Sequence, residues 1–336
     1  MKLRTPWVLW VASVWAGNAV ASASVAVYGE IDTAIGRSYS GAADWEMLSG
    51  YTGDTKLGFR GSEEVGHGLK VNFQLEASKM DSDTGAWTGG FGRQAWVGLS
   101  GGWGEWRMGR TNTPQNRAMG QFDLNGSADG SSALKVLGLA ANSSLVGSRE
   151  SNQLHYASPL WHGLQVRAAY GFSETVKGEK GAKRDFMQLA ANYQWHGLTL
   201  GAAFQPRRYA TQAETAQGYR DGYVLGAKYR WDGVQASVLY GRNVKASEGA
   251  GWGAGLALPW GAWQWGAQVA WLNQATKSNG QRSDKQGAKA YELFSHYRWS
   301  KRTVLYGAYG RVNHKAETAF KLLHRQTFAV GLTHKF

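Results

Sequence analysis

Leu69-Lys-Val-Asn-Phe-Gln-Leu-Glu76 places Leu69, Val71, Phe73 and Leu75 on one parity and Lys70, Asn72, Gln74 and Glu76 on the other. Side chains alternate across a β-strand, so this run has one apolar and one polar face. The period recurs at Leu164–Phe172, where Leu164, Val166, Ala168, Tyr170 and Phe172 oppose Gln165, Arg167, Ala169 and Gly171. It recurs again at Tyr223–Trp231, where Tyr223, Leu225, Ala227, Tyr229 and Trp231 oppose Val224, Gly226, Lys228 and Arg230.

Short aromatic and glycine-bearing segments separate these runs: Val65-Gly-His-Gly68, Gly101-Gly-Trp-Gly104, Pro159-Leu-Trp-His-Gly163, Tyr193-Gln-Trp-His-Gly197, Tyr229-Arg-Trp-Asp-Gly233, Pro259-Trp-Gly-Ala-Trp263 and Tyr297-Arg-Trp-Ser-Lys301. Tight hairpins need positive backbone φ angles, which such segments supply. Between them lie longer polar stretches, including Arg37–Asp54, Lys79–Gly90, Ser173–Arg184, Pro206–Tyr219, Thr276–Gly287 and Asn313–Leu323. Seven short turns imply fourteen strands, and the runs Val25–Gly36 and His324–Phe336 add a first and a last. The expectation is an all-β fold, a 16-stranded antiparallel transmembrane β-barrel of up-and-down connectivity.

Composition agrees with that architecture. Among 336 residues there are 46 Gly, 5 Pro, 17 Trp and no Cys. An aromatic content of 13% is too much apolar surface for a disordered chain. Past the N-terminus no run of 18 apolar residues appears, which excludes helical membrane spans but not strands whose faces average out as polar. Without cysteine, disulfides and Cys-ligated metal sites are excluded. Residues 1–23 have basic Lys2 and Arg4, an apolar run from Trp7 to Ala16 and small residues at Ala21-Ser22-Ala23, the layout of a secretory signal peptide cleaved near Ala23. Its removal lowers the formal charge from +13 to +11, since it carries two cations and no acid. Residues 24–336 are then the barrel.

A soluble, lectin-like sandwich also alternates, but its connections are not short at one end and long at the other. Here the Trp residues cluster beside the short turns, as an interfacial aromatic girdle requires. One connection, Asn112–Ser148, is far longer than the rest and carries an apolar stretch at Ala133–Ala141. Loops of that length are functional or disordered, and a sixteen-strand lumen is wide enough for one to narrow it.

Taking the apolar parity as lipid-facing, Lys56, Arg60, Lys70, Arg107, Arg149, Arg167, Lys228, Arg230 and Arg298 point inward, against Glu30, Asp32, Glu76, Glu105 and Glu292. The lumen leans positive, which enriches anions. Arg93 is ambiguous: Trp96 outward places it in the pore, whereas Val97 and Leu99 outward do not.

Ser24-Val-Ala-Val-Tyr-Gly-Glu-Ile-Asp32, Lys56-Leu-Gly-Phe-Arg-Gly-Ser-Glu-Glu64, Phe91-Gly-Arg-Gln-Ala-Trp-Val-Gly-Leu-Ser100 and Phe328-Ala-Val-Gly-Leu-Thr-His-Lys-Phe336 together resemble the Gram-negative general porins, of the β-proteobacterial type. The likeness spans the whole of 24–336. It implies a passive water-filled channel for small hydrophilic solutes in the outer membrane, a homotrimer, and a long third loop, 112–148, folded inward as a constriction. It further implies a basic ladder facing that loop, with Lys56, Arg93 and Arg149 at the matching positions; the parity-inward Arg60 and Arg107 extend it. Lys56 departs from the family's usual arginine but keeps its charge. The loop's charges are Arg117, Asp123, Asp129 and Lys135, too few acids for a cation-preferring pore. Phe336 is similar to the C-terminal signal read by the β-barrel assembly machinery. Outer-membrane lipid, small solutes and anions are the partners implied.

Two other readings are an outer-membrane barrel hydrolase and a solute-specific channel. For the hydrolase the best trio is His155 with Ser151 and Ser158, which has no motif and no acid fixed by spacing. His67, His162 and His196 lie in tight turns as polar interfacial tips. Gly251-Trp-Gly-Ala-Gly255 sits inside a strand pattern rather than ahead of a helix, so it is no phosphate loop. The basic residues are spread over many strands rather than gathered on one face, which argues against nucleic acid. No metal-ligand cluster or cofactor motif is found.

Overall fold

A computed structural model describes residues 24–77, 80–139, 147–173, 185–206, 221–244, 249–274 and 285–336. The signal peptide expected over 1–23 lies outside them, as do residues 140–146 of the expected constriction loop 112–148 and most of the connections expected at 173–184, 206–219 and 276–287.

The alternating runs form strands with short hairpins where the glycine and aromatic punctuation falls. In chain order they are β1 (Ser24–Arg37), β2 (Glu46–Ser49), β3 (Lys56–Gly66), β4 (Leu69–Glu76), β5 (Gln94–Gly101), β6 (Gly104–Asn112), β7 (Arg149–Ala157), β8 (Leu164–Gly171) and β9 (Phe186–Trp195). They continue as β10 (Leu198–Gln205), β11 (Gly222–Trp231), β12 (Val234–Val244), β13 (Gly249–Trp260), β14 (Trp263–Gln274), β15 (Lys289–Arg298), β16 (Thr303–Val312) and β17 (Gln326–Lys335). His67, His162, His196 and Asp232 adopt positive φ of 46° to 52° in their turns, so the turn histidines have a backbone role.

The sixteen long strands pair antiparallel, each with its sequence neighbour, and β1 closes the ring on β17, Glu30–Arg37 facing Lys335–Phe328. In hydrocarbon an open edge would leave each unpaired N–H or C=O at a cost of several kcal/mol, so closure is what makes the wall tenable. The small β2, not expected from the sequence, pairs with the upper half of β1 while β3 pairs with the lower half.

Parity holds around the wall. Val25 is 67% and Val330 73% exposed, and Ile31, Leu225, Leu258 and Leu293 are likewise uncovered, whereas Glu30, Gln188, Gln268 and Glu292 face inward and are buried. An apolar exterior around polar interior side chains inverts a soluble protein and fits a lipid surround. Trp103, Trp161, Trp195, Trp231, Trp260, Trp263 and Trp299 are all exposed beside short turns. Trp96 is the exception: it turns inward, beneath the Arg107 guanidinium at 4.2 Å from its ring centre.

Among the described residues three α-helices interrupt the long connections: α1 (Pro114–Met119), α2 (Ala133–Val136) and α3 (His314–Phe320). Each has a side-chain N-cap, Thr113, Ser132 and Asn313 respectively. The polar stretch Asn313–Leu323 therefore contains a capped helix, a signal that a search for strands passes over.

Candidate functional site: the lumen between the third connection and the basic wall

The third connection packs against the inward side chains of the later strands. Gln188 Oε1 accepts from Gln115 N at 2.9 Å, Asn192 Nδ2 donates to Ala118 O at 2.9 Å, and Lys228 Nζ donates to Gln121 O at 3.0 Å. Further round, Gln268 Nε2 donates to both Asp123 Oδ1 (2.9 Å) and Glu292 Oε2 (2.7 Å). Glu292 Oε1 accepts from Asn125 Nδ2 and Ser131 Oγ. These bonds sit where lumen side chains shield them from bulk water, so losing one leaves a buried partner unsatisfied.

Glycines on the inner wall make room for the connection's apolar side. Fully buried Phe122 lies on Gly201 of β10 and Gly226 of β11, Leu134 on Gly253 and Leu124 on Gly255 of β13. A Cβ at Gly226 would stand 2.8 Å from the Phe122 ring. Strand glycine is otherwise unfavourable, and close approach by another segment accounts for it.

Across the lumen stands the basic wall. Lys56 Nζ pairs with Glu30 Oε2 at 2.8 Å, and Arg93 Nε with Glu76 Oε1 at 2.6 Å. Asp54 also receives Arg93, and Arg149 Nη2 lies 3.8 Å from its Oδ2. Burial works against the Asp54 charge, but Arg93 and Arg149 outweigh it and hold its carboxyl below the usual carboxylate range. Buried Asp32 holds this segment inward, accepting from Thr52 N at 2.8 Å, Gly53 N at 2.6 Å and Tyr306 OH at 2.5 Å. Asp54 had no sequence signal: Thr52-Gly53-Asp54 reads as an ordinary turn.

The ambiguity of Arg93 has a local answer. Val97 and Leu99 face outward, the parity that would send residue 93 to lipid. But β5 begins only at Gln94, so the pleat no longer binds Arg93, and its side chain turns to Glu76 and Asp54.

Lys56, Arg93, Arg149 and Lys135 line one cavity with Lys335, Glu30, Asp54 and Asp129. Arg60 and Arg107, expected in the same ladder, line another with Trp96 and Glu105. The five-residue ladder thus divides into two groups, because Arg60 lies four residues beyond Lys56 along β3 and Arg107 five beyond Asn112 along β6. Asp123 does not face the basic wall. It is 3% exposed and bonded to Gln268 and Ser132 behind the connection, so the acid facing the lumen is Asp129, paired with Lys135. Burial pushes the Lys135 ammonium down to about 8, with Arg149 and Arg93 adding to the push and Asp54 and Asp123 opposing it. Arg117 projects from α1 on the side of Arg107 and Arg167.

The main cavity carries five cations against three acids. Its field is positive but moderated by ion pairs, which suits enrichment of anions without trapping them. The trio His155, Ser151 and Ser158 is not assembled. Ser151 accepts from Arg110, Ser158 bonds Pro159 O and Val166 N, and both His155 nitrogens lack a partner. Among the described residues no group of three metal-ligating side chains occurs. Phe336 exchanges backbone hydrogen bonds of 3.1 Å with Gly29 where the barrel closes.

Comparison with known proteins places these features in company. The family model described as Gram-negative porin matches residues 8–317. An outer membrane porin protein of Bordetella pertussis is 29% identical over 275 residues, covering 73% of this chain and 69% of that one. The outer membrane porin protein 32 of Delftia acidovorans is 27% identical over 229 residues, covering 66% of this chain and 65% of that one. Among solved structures, the anion-selective porin from Comamonas acidovorans superposes with a TM-score of 0.74 at 23% identity, over 94% of this chain and 100% of that one.

Proposed function

The chain belongs to the Gram-negative porin family, whose members are outer-membrane channels, and from that premise we propose that its channel prefers anions and is narrowed between residues 112–148 and the wall bearing Lys56, Arg93 and Arg149. The observation that carries this is the cavity between them, with five cations against three acids. Arg60, Arg107 and Arg117 extend the positive field along the lumen, while Asp129 and Lys135 set the charge on the loop side. Small hydrophilic solutes and inorganic anions pass down their gradients, selected by size and by enrichment of counter-ions.

The chain acts as a channel rather than an enzyme, a reading that the porin family and fold support. It works as a homotrimer, is exported by a signal peptide over 1–23, and enters the membrane through the barrel assembly machinery with Phe336 as its signal. The porin named anion-selective supports the preference by likeness of fold. The test is the reversal potential of the purified trimer in a planar bilayer under a KCl gradient. A potential with the sign of chloride preference is expected, reduced in Lys56→Gln. A cation-selective potential overturns the preference and leaves the family assignment standing.

A further inference from the structure

Below the main cavity, toward the short turns, a second group of cations lies beside a histidine to which the transport reading gives no role and which no serine engages. His155 on β7 faces the lumen directly opposite Arg107 on β6. It is 3% exposed, and neither ring nitrogen has a hydrogen-bond partner. A buried polar group left unsatisfied is costly, and its presence calls for a partner. Arg107, Arg117 and Arg167 all act electrostatically on this imidazole.

The three guanidiniums are unevenly spent. Arg107 gives Nη2 to Glu105 at 2.7 Å and keeps a buried Nε without an acceptor. Arg167 is held by the neutral acceptors Asn192, at 2.8 Å, and Gln165. Arg117 has no ion pair or side-chain hydrogen bond among the described residues, and its side chain is open to the lumen. Desolvation deep inside the barrel and the proximity of Arg107 and Arg167 push it down to about 10. Glu105 is the acid paired within the group, and Glu76, tied to Arg93, acts on it from a distance. Three cations against Glu105 leave an excess of two, presented as forks suited to planar or tetrahedral oxyanions.

We propose that His155, Arg107, Arg117 and Arg167 form a second station in the lumen that binds a small doubly charged oxyanion of the phosphate type. It lies roughly 15 Å along the strand from the level of Arg149, given five residues from Asn112 to Arg107 and a bulge between them. The oxyanion accepts from the free N–H groups of Arg117 and Arg107 and from the imidazole N–H, which supplies the missing partner. This deepens the anion-preferring reading above and rests on it only for access to the lumen.

The experiment is block of chloride current through the bilayer-inserted trimer by inorganic phosphate, titrated at a pH where the dianion dominates. Saturable block is expected in the unaltered protein, with gluconate at equal ionic strength giving none. Arg117→Gln, on the loop and outside the wall, should raise the half-blocking concentration about tenfold, the loss of one charge-assisted contact in a wet site. Lys56→Gln should shift the reversal potential while leaving that concentration within about twofold, since one charge across the station-to-cavity distance is screened. If Arg117→Gln inserts poorly, Arg167→Lys keeps the charge, loses the fork and should weaken block in the same direction. Equal block by gluconate, no block by phosphate, or unchanged block in the arginine variants overturns the station. A cation-selective reversal potential with phosphate block intact sinks the anion preference alone.

Discussion

Asn125 Nδ2 donates to Glu292 Oε1 at 2.6 Å, tying the third connection to β15 across 167 residues of sequence. Ser131 and Gln268 converge on the same carboxylate, and Gln268 hands the network on to Asp123. The connection is thus held to the wall opposite the cations at a buried polar point, with the basic wall left free across the lumen.

Glu292→Ala therefore leaves the Ser131 hydroxyl without its acceptor and Asn125 Nδ2 with only its 3.2 Å bond to Ser131 Oγ. Each unsatisfied group costs about 1–3 kcal/mol. The expected outcome is a protein that loses its native electrophoretic mobility at lower temperature, and open-channel current noise well above that of the unaltered protein. Unchanged noise and unchanged thermal mobility would mean that the network does not hold the connection.

Gly226→Val tests the apolar half of the same attachment. Its side chain would meet the Phe122 ring, since a Cβ alone stands 2.8 Å away. Overpacking of this kind costs about 1–3 kcal/mol. The connection is expected to shift into the lumen and lower single-channel conductance, and Phe122→Ala combined with Gly226→Val should restore much of it. A valine tolerated with unaltered conductance would show that the floor under Phe122 is not tight.

Lys135 gives the selectivity a pH dependence. Its ammonium titrates near 8 because burial opposes the charge. It is charged below that value and neutral above it, so the main cavity loses one of its cations as pH rises from about 7 to about 9. The chloride-to-potassium permeability ratio should fall over that interval and stay flat in Lys135→Met. Asp54 contributes no change there, because its arginine neighbours keep it ionised well below neutrality. A ratio that falls equally in the variant would assign the titration to another group.

The wall was legible because its signal is local. Leu69–Glu76 reads as a two-faced strand from its own eight residues, and Tyr229-Arg-Trp-Asp-Gly233 reads as a turn from five; neither needs a distant partner. Parity likewise placed Lys56, Arg60, Arg107 and Arg167 on the lumen side. Parity stops at the strand end, which is why Arg93 stayed ambiguous and why Asp54 went unnoticed as a lining residue, whereas Lys335, on the parity of Thr327 and Thr333 in β17, was legible but passed over.

Sequence alone thus determined a closed two-faced wall with aromatic turns at one end and a positive lean inside, because a period of two is written residue by residue. Tertiary structure alone decided that Asp123 turns away from the basic wall, that Asp54 enters it, and that the cations divide into two levels with His155 among the lower. Those outcomes depend on contacts between segments far apart in the chain, whose bonds and packing no short run of residues encodes.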